Sequence, residues 1–342
     1  MRRFTLCLIL VVAASWGVMA AAAWPPEVQT VGFTSPADGS EQKTLLFVPP
    51  GDEPVPLLVA FHTWSNDYRQ DESAYARWCI ARGWAFLHPD VRGPANRPEA
   101  AGSELAMADL RAALDLAGAA RRIDHERVYA IGVSGGGMMT LLAAARMPEV
   151  WAGASAWVPV TDLAAWHAET RAAGRDKYAR DVEQVCGGPP GASPAVDAAY
   201  AGRSVVARLG AVRPAVPLDI NAGIHDGHTG SVPVSHGIRA FNAVAAAADR
   251  LPEPAVERMV ETRSVPEDLG FRGIDPLYAS RPVLLRRTSD GARLSVFDGG
   301  HEILIEAGLT WLEAQRRGRP AVWEVAPHDP PILGAKAADS GR

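Results

Sequence analysis

The sequence predicts an α/β fold in which a mostly parallel central sheet is flanked by helices and carries a helical cap insertion. Short apolar runs of strand length alternate with longer segments whose apolar residues recur at helical spacing. A stretch rich in charged and aromatic residues, about 159–216, interrupts this alternation and lacks the pattern of a sheet strand. Alternation of strands and helices is typical of parallel sheets.

The composition is that of a globular protein without a nucleic-acid partner. Of the 342 residues, 48% are hydrophobic and 21% are charged, which is enough for a large buried core. The formal net charge is -5 and the basic residues are scattered. We therefore expect no surface that binds nucleic acid.

Residues 1–23 predict a secretory signal peptide. Arg2 and Arg3 form a basic start, 6–14 is an apolar run, and 20–23 offers small residues for cleavage. An uncleaved anchor is the alternative, but the apolar run is short for a membrane span of about 20 residues. We expect a secreted or periplasmic protein with no stable membrane association after cleavage.

Two cysteines, Cys79 and Cys186, would remain in the mature chain. An exported compartment permits a disulfide between them. Two separate buried thiols are the alternative, and the sequence does not favour either.

The first part of the chain reads as three strand–helix pairs that follow an opening strand. Gly83 stops the first helix, Ser103 and Glu104 begin the second, and Pro148 follows the third. The predicted strands are 43–49, 56–62, 84–90 and 127–133, and the predicted helices are 71–83, 103–122 and 136–147.

The second part returns to strands and helices after the cap. The predicted strands are 152–158, 217–224 and 292–300, and the predicted helices are 234–251 and 301–318. Residues 252–291 read as a second, irregular insertion. We predict one catalytic domain over 24–318, followed by a loose tail, 319–342, rich in proline, alanine and charge.

The run Gly132-Val133-Ser134-Gly135-Gly136 fits the pattern G-x-S-x-G between a predicted strand and a predicted helix. This strand–turn–helix context is the one in which the serine becomes an exposed nucleophile. The turn strains the backbone, so small residues are needed two positions to either side, and Gly132 and Gly136 meet that need. We predict that Ser134 is a nucleophile; a purely structural turn is the alternative.

A nucleophilic serine needs a base and an acid that orients the base. His301 follows the last predicted strand, and Asp226 follows the strand 217–224. The order serine, acid, histidine is the one this arrangement uses. Asp162, after the strand 152–158, is the alternative acid.

The oxyanion needs backbone N–H donors. The residue after the nucleophile, Gly135, should supply one. Thr63 or Trp64 should supply the other, since both follow the strand 56–62.

Aromatic residues of the cap region are candidates for substrate binding. Trp157, Trp166 and Tyr178 lie near the expected pocket, where they could stack on a sugar or form the core of the cap. The sequence His225-Asp226-Gly227-His228 contains residue types that bind zinc, but the histidines are three apart on a loop. We predict no metal and no cofactor.

These residues give the chain a resemblance to the α/β-hydrolase superfamily, and within it to the catalytic domain of the prolyl-oligopeptidase-like families. The stretches that carry the resemblance are LLVAFHTWSND, HPDVRGP, IDHERVYAIGVSGGGMM, AGIHDGHTGSVPVSHG and FDGGHEI. The resemblance implies an α/β-hydrolase fold with Ser134 as nucleophile, Asp226 as acid and His301 as base.

The chain departs from that family in two places. Residues 24–55 leave no room for the N-terminal β-propeller of full-size relatives. The oxyanion stretch reads His62-Thr63-Trp64-Ser65 instead of the His-Gly-Gly run of many esterases. Both departures weaken the inference of prolyl-peptidase specificity.

Three functions follow as hypotheses. The first is an exported serine hydrolase that cleaves esters of carbohydrate or small acyl compounds through an acyl-enzyme. The second is a serine peptidase acting on short peptides. The third, of another class, is a non-catalytic binding module on a hydrolase scaffold. The partner is thus a small-molecule ester or a short peptide, and no oligomeric state is predicted.

Overall fold

The computed structural model describes residues 24–211, 216–271 and 273–333, so the predicted signal peptide, 1–23, lies outside the described residues. The described residues form one nine-stranded sheet. Its strands β1 to β9 are Gln29–Thr34, Glu41–Phe47, Val55–Phe61, Ala85–Pro89, Ile123–Val133, Gly153–Trp157, Leu218–Gly223, Val283–Ser289 and Ala292–Phe297.

The sheet is parallel through its centre and antiparallel at both ends. The strand order is β1-β2-β4-β3-β5-β6-β7-β9-β8. All neighbouring pairs from β4 to β9 are parallel. β1 and β2 at one end, and β8 at the other, are antiparallel to their neighbours. The carboxyl ends of β3, β5, β6, β7 and β9 therefore meet at one edge, where ligands bind in open α/β sheets.

Ten α-helices lie among the described residues. Helices α1 to α10 are Ser73–Arg82, Glu104–Ala120, Gly135–Arg146, Leu163–Ala172, Asp176–Cys186, Pro194–Arg203, Val205–Ala211, Ser235–Val244, Glu253–Thr262 and Ile305–Glu313. Helices α4 to α7 come between β6 and β7, in the segment where the sequence predicts a helical cap. This arrangement is that of the predicted α/β-hydrolase fold.

Helices cover both faces of the sheet. In β3, Leu57 and Val59 belong to the core that contains residues of α2, α3 and α8. Leu58 and Ala60 belong to the core that contains residues of α1 and α10. Successive side chains of a strand point to opposite faces, so the fully apolar runs of the central strands reflect burial on both sides.

Two strands were not predicted, and both are edge strands. β1 is mostly exposed, and its sequence QTVGFT contains no apolar run. β8 carries Arg286 and Arg287 and falls inside the segment 252–291, which was predicted to be irregular. The prediction was wrong there because edge strands are covered on fewer sides and so keep polar residues.

The tail is packed against the domain as far as it is described. The Trp323 ring stacks on Trp311 of α10, with ring centroids 5.7 Å apart. Arg293 of β9 donates a hydrogen bond from Nη1 to the Trp323 carbonyl oxygen at 2.8 Å. Residues 319–333, which the composition predicts to be loose, also contact the domain elsewhere, because the Ile332 N–H donates to Glu306 Oε1 at 2.7 Å; 334–342 lie outside the described residues.

The two described cysteines are separate thiols. Cys79 in α1 and Cys186 at the end of α5 are both buried and free. Burial raises the pKa of the Cys186 thiol to about 11, which leaves it protonated at neutral pH.

In the described part of the chain, no helix is both long and apolar enough to cross a membrane.

His88 in β4 is fully buried and, within the described part of the chain, its side chain makes one hydrogen bond, from Nδ1 to the Ala60 carbonyl oxygen at 2.7 Å. Burial, together with the nearby His62, lowers its pKa from 6.5 to about 3. The folded protein therefore keeps His88 neutral over a pH range in which the unfolded chain takes up a proton. Its contribution to stability is complete above pH 6.5 and is lost as the pH falls towards 3.

We expect the substitution His88→Asn to make the free energy of unfolding depend less steeply on pH between pH 6.5 and 4. The variant lacks the group that contributes up to about 1.4 kcal/mol for each pH unit. Urea unfolding at several pH values measures this slope. His125→Asn, at an exposed histidine, is the control and should keep the wild-type slope. Equal slopes for His88→Asn and wild type would contradict the prediction.

Candidate functional site

Ser134 occupies a strained turn between β5 and α3. Its backbone has φ 59° and ψ -118°, a region that side chains other than glycine rarely adopt. A Cβ atom at Gly132 would lie 2.4 Å from the Gly136 carbonyl carbon, and one at Gly136 would lie 2.2 Å from the Phe61 carbonyl oxygen. Both glycines are thus required for the helix to approach β5 and β3 this closely, as the motif predicted.

Asp226 and His301 are joined by a short hydrogen bond. His301 Nδ1 donates to Asp226 Oδ2 at 2.6 Å. The other carboxylate oxygen, Oδ1, accepts from the N–H groups of Gly227 and Val232 at 2.8 and 3.1 Å. Asp226 is buried, and both of its carboxylate oxygens accept hydrogen bonds. The proton of His301 is therefore held on Nδ1, which leaves Nε2 able to accept a proton.

The loops that carry this pair are in direct contact. The His225 N–H donates to the Gly299 carbonyl oxygen at 3.0 Å. At the end of β7, a Cβ atom on Gly223 would lie 2.1 Å from the Gly300 carbonyl oxygen. Glycine at these positions lets the chains after β7 and β9 touch, and this contact brings Asp226 to His301.

All three predicted residues lie at the same edge of the sheet. Ser134 follows β5, Asp226 follows β7 and His301 follows β9. These strands are parallel, and β7 and β9 are neighbours. His301 lies in the loop before α10 and not in the helix, which begins at Ile305 and was predicted to begin at 301.

The loop after β3 places Trp64 against Gly135. A Cβ atom at Gly135 would lie 2.6 Å from the Trp64 nitrogen. As the first residue of α3, Gly135 has an N–H without an acceptor in the helix. Among the described residues, the Trp64 N–H also has no hydrogen-bond acceptor. Two unpaired backbone donors therefore lie side by side next to Ser134.

Of the two predicted oxyanion donors on this loop, the structure leaves only Trp64 available. The Thr63 N–H donates to Gln70 Oε1 at 2.8 Å, and its hydroxyl donates to the same oxygen at 3.0 Å. Gln70 is fixed in turn, because its Nε2 donates to Glu72 Oε1 at 2.7 Å. Sequence reasoning missed Gln70, since only the folded loop brings it back to Thr63.

Trp157 cannot contact a substrate, and its prediction as a binding residue was wrong. Its side chain is fully buried. Its Nε1 donates to Ser155 Oγ at 2.9 Å, and its ring stacks on Tyr278 with centroids 5.7 Å apart. The side chain points from β6 towards the α10 side of the sheet, whereas its carbonyl oxygen accepts the Ser134 N–H at 2.9 Å.

The two remaining aromatic candidates form a cluster with Trp64 in the loop after β3, which carries the predicted oxyanion donors and which we call the oxyanion loop. The Trp166 ring in α4 lies edge-on to Trp64 with centroids 4.8 Å apart, and Tyr178 in α5 lies 5.1 Å from Trp166. Trp166 is fully buried, and its Nε1 donates to the Ser231 carbonyl oxygen at 2.7 Å. Trp166 therefore acts as cap core, while Tyr178 is only partly buried.

The alternative acid, Asp162, has another role. Its Oδ1 accepts from the N–H groups of Ala164 and Ala165 at 3.0 and 3.1 Å and so caps α4. It is thus engaged at the start of the cap helix. Of the two candidate acids, Asp226 is the one that is hydrogen-bonded to His301.

The histidines on either side of Asp226 point to other partners. His225 Nε2 lies 2.9 Å from Asp298 Oδ1, and His228 Nε2 donates to the Val260 carbonyl oxygen at 2.7 Å. Within the described ranges, no group of three or more His, Cys, Asp or Glu side chains is arranged to hold a metal ion.

Two depressions adjoin the candidate residues. One is a narrow, mostly apolar crevice that both Trp64 and Gly135 line, together with Met138 and Met139. The other is an open groove beside His301, which we call the histidine groove. Its lining residues are His225, Thr229, Arg281, Asp298, Gly299, Gly300, His301 and Glu302.

Residues 71–253, just over half of the chain, match the model of the prolyl oligopeptidase family. The chain belongs to this family. The family consists of serine hydrolases with the α/β-hydrolase fold, as the sequence predicted. The matched range contains Ser134 and Asp226 and ends before His301.

Solved structures similar to this prolyl oligopeptidase family member include peptide hydrolases and an esterase. A puromycin hydrolase is 21% identical with a TM-score of 0.52, over 64% of this chain and 33% of that chain. The acylaminoacyl peptidase of Pyrococcus horikoshii is 16% identical with a TM-score of 0.50, over 64% and 34%. An acetyl xylan esterase from Paenibacillus sp. R4 is 17% identical with a TM-score of 0.57, over 86% and 87%.

These similarities show the shared fold. The chain spans about a third of the length of the two peptide hydrolases. A comparison with curated proteins gives no significant match.

Gly230 provides a test of the site geometry. A Cβ atom at this position would lie 2.2 Å from Asp226 Oδ1 and 2.4 Å from His301 Cβ. We expect Gly230→Ala to displace the pair and to slow the reaction of Ser134 with a fluorophosphonate about 100-fold, the usual cost of a misplaced catalytic group. Stopped-time labelling gives the rate, and near-ultraviolet circular dichroism checks the fold.

The matched control is Gly118→Ala in α2, where a Cβ atom would meet nothing within 4 Å. This variant should label at the wild-type rate and gain about 0.5–1 kcal/mol of stability, as expected for alanine in a helix. A folded Gly230→Ala protein that reacts as fast as wild type would refute the proposed packing around Asp226 and His301.

Proposed function

We propose that Ser134, His301 and Asp226 act as a catalytic triad that hydrolyses carboxylic esters through an acyl-enzyme. The hydrogen bond of 2.6 Å between His301 and Asp226 carries the proposal. It joins a buried carboxylate to a histidine at the sheet edge where Ser134 is held in a strained turn.

The chemical steps follow from these positions. Ser134 Oγ attacks the ester carbonyl carbon while His301 Nε2 takes its proton, and Asp226 stabilises the imidazolium. The N–H groups of Trp64 and Gly135 hold the oxyanion. His301 then gives the proton to the departing alcohol oxygen. A water molecule activated by the same base finally releases the acid from Ser134.

The favoured substrates are esters of carbohydrates or other esters with a small acyl group. The crevice that both oxyanion donors line is narrow and apolar, which suits a short acyl chain. Charged and hydroxyl-bearing side chains line the histidine groove, which suits an alcohol that bears hydroxyl groups. The acetyl xylan esterase is matched over most of its length, which agrees with an esterase built as one domain.

Hydrolysis of short peptides is the second candidate. Family membership and the similarity to a puromycin hydrolase favour it. That similarity covers only a third of the puromycin hydrolase. An amide carbonyl is also less reactive than an ester carbonyl. We therefore expect the same triad to hydrolyse esters faster than amides.

We expect the purified protein to hydrolyse acetyl esters of sugars with a higher kcat/KM than aminoacyl 4-nitroanilides. The reason is the small acyl site and the histidine groove described above. Spectrophotometric assays on both substrate panels measure the preference. The control is Ser134→Ala, which should hydrolyse neither panel and should resist a fluorophosphonate. Faster cleavage of the amides would favour the peptidase, and a wild-type protein that is never labelled would favour a binding module.

We also propose that the protein is exported. The support is the basic start, apolar run and small residues of 1–23. Expressed in a Gram-negative bacterium, the protein should be recovered from the periplasm with an N-terminus near Trp24. Mass spectrometry of the intact protein measures this. Recovery of the uncleaved chain from the cytoplasm would exclude export by this segment.

A further inference from the structure

We propose that the histidine groove binds the alcohol part of the ester and that this alcohol is a neutral polyol, such as a sugar. The inference rests on the proposed function. It goes further in naming the residues that bind the leaving group and in specifying that this group is uncharged.

The chemistry of acyl transfer places the leaving group in this groove. His301 Nε2 gives its proton to the departing oxygen, so that oxygen must come within hydrogen-bond distance of His301. His301 lines the histidine groove, and its side chain is 24% exposed there. The oxyanion donors Trp64 and Gly135 line the other depression. The acyl and alcohol parts of the ester therefore occupy different depressions.

The groove presents both donors and acceptors to a ligand. Arg281 Nε donates to Glu302 Oε1 at 3.0 Å, and His225 lies 2.9 Å from Asp298 Oδ1. The second oxygen of Asp298 has no partner among the described residues, and the side chain is 51% exposed. The Thr229 hydroxyl donates to the His225 carbonyl oxygen at 3.2 Å and keeps lone pairs that can accept. A groove that contains both donors and acceptors suits a ligand with several hydroxyl groups.

The charges in the groove exclude an anionic alcohol. Burial acts to raise the pKa of Glu302, but hydrogen bonds from Arg281 and the Gly300 N–H lower it below its usual range. Glu302 is therefore a carboxylate at neutral pH. Two carboxylates, Asp298 and Glu302, then lie in the groove with one arginine, Arg281, so an anionic group would be repelled.

The walls of the groove are held in place before a ligand arrives. Glu302 Oε1 accepts from the Gly300 N–H at 3.0 Å, and the Gly299 carbonyl oxygen accepts from the His225 N–H at 3.0 Å. The residues that line the groove are thus bonded to the loop that carries His301. Binding of a ligand therefore costs little side-chain entropy, which favours binding by hydrogen bonds.

The experiment compares acetyl esters that differ only in the alcohol. The probes are a mono-O-acetyl methyl xyloside, phenyl acetate and acetylcholine, and the measured quantity is kcat/KM for each. We expect Asp298→Asn and Thr229→Val each to lower the ratio of the xyloside to phenyl acetate about tenfold, the usual effect of losing one hydrogen bond to a charged or polar group.

Asp115→Asn is the matched control, because Asp115 is an exposed aspartate on α2, outside the groove. It should leave the ratio unchanged. An unchanged ratio in Asp298→Asn and Thr229→Val, an equal loss on all three esters, or a wild-type preference for acetylcholine would overturn the groove proposal while the hydrolase proposal stands. A wild-type protein that cleaves none of the esters and resists a fluorophosphonate would instead overturn the proposed function itself.

Discussion

The hydrogen bond between Asp226 and His301 depends on two loops that meet without side chains between them. Gly223, Gly230 and Gly300 provide the space, and a Cβ atom at Gly223 or Gly230 would overlap the opposite loop or the pair itself. Because Asp226 is buried, its charge must be compensated, and two backbone N–H groups and His301 do this. The same contacts that solvate the carboxylate also fix the tautomer of the histidine.

On the other side of the site, a backbone hydrogen bond and a close contact at a glycine hold Ser134 in its strained conformation. The turn is held by the Trp157 carbonyl oxygen, which accepts the Ser134 N–H, and by the close approach of Gly136 to Phe61. The parallel centre of the sheet then sets the spacing between Ser134 and the pair, because β6 and β7 separate β5 from β9.

The sequence was sufficient for the fold and for the triad candidates, since both follow from apolar runs and from what comes directly after them. It was insufficient where the direction of a side chain decides whether a residue takes part in the site. Trp157 lies at the end of a strand near the site, yet its ring points to the opposite face. The choice between Thr63 and Trp64 depended on the hydrogen bond from the Thr63 N–H to Gln70 Oε1. The pattern of apolar residues does not predict this contact. β1 and β8 were not predicted because edge strands keep polar residues at their exposed positions.

The cap connects the two halves of the site. Trp166 contacts Trp64 of the oxyanion loop. Arg175 donates to the Gly227 and His228 carbonyl oxygens at 3.1 and 3.4 Å, in the loop after β7 that carries Asp226, which we call the acid loop. The second insertion reaches the acid loop as well, through the hydrogen bond from His228 to Val260. Movement of the cap as a rigid lid would have to break these contacts with both loops. Its contacts therefore support the geometry of the site in addition to any part they take in selecting the substrate.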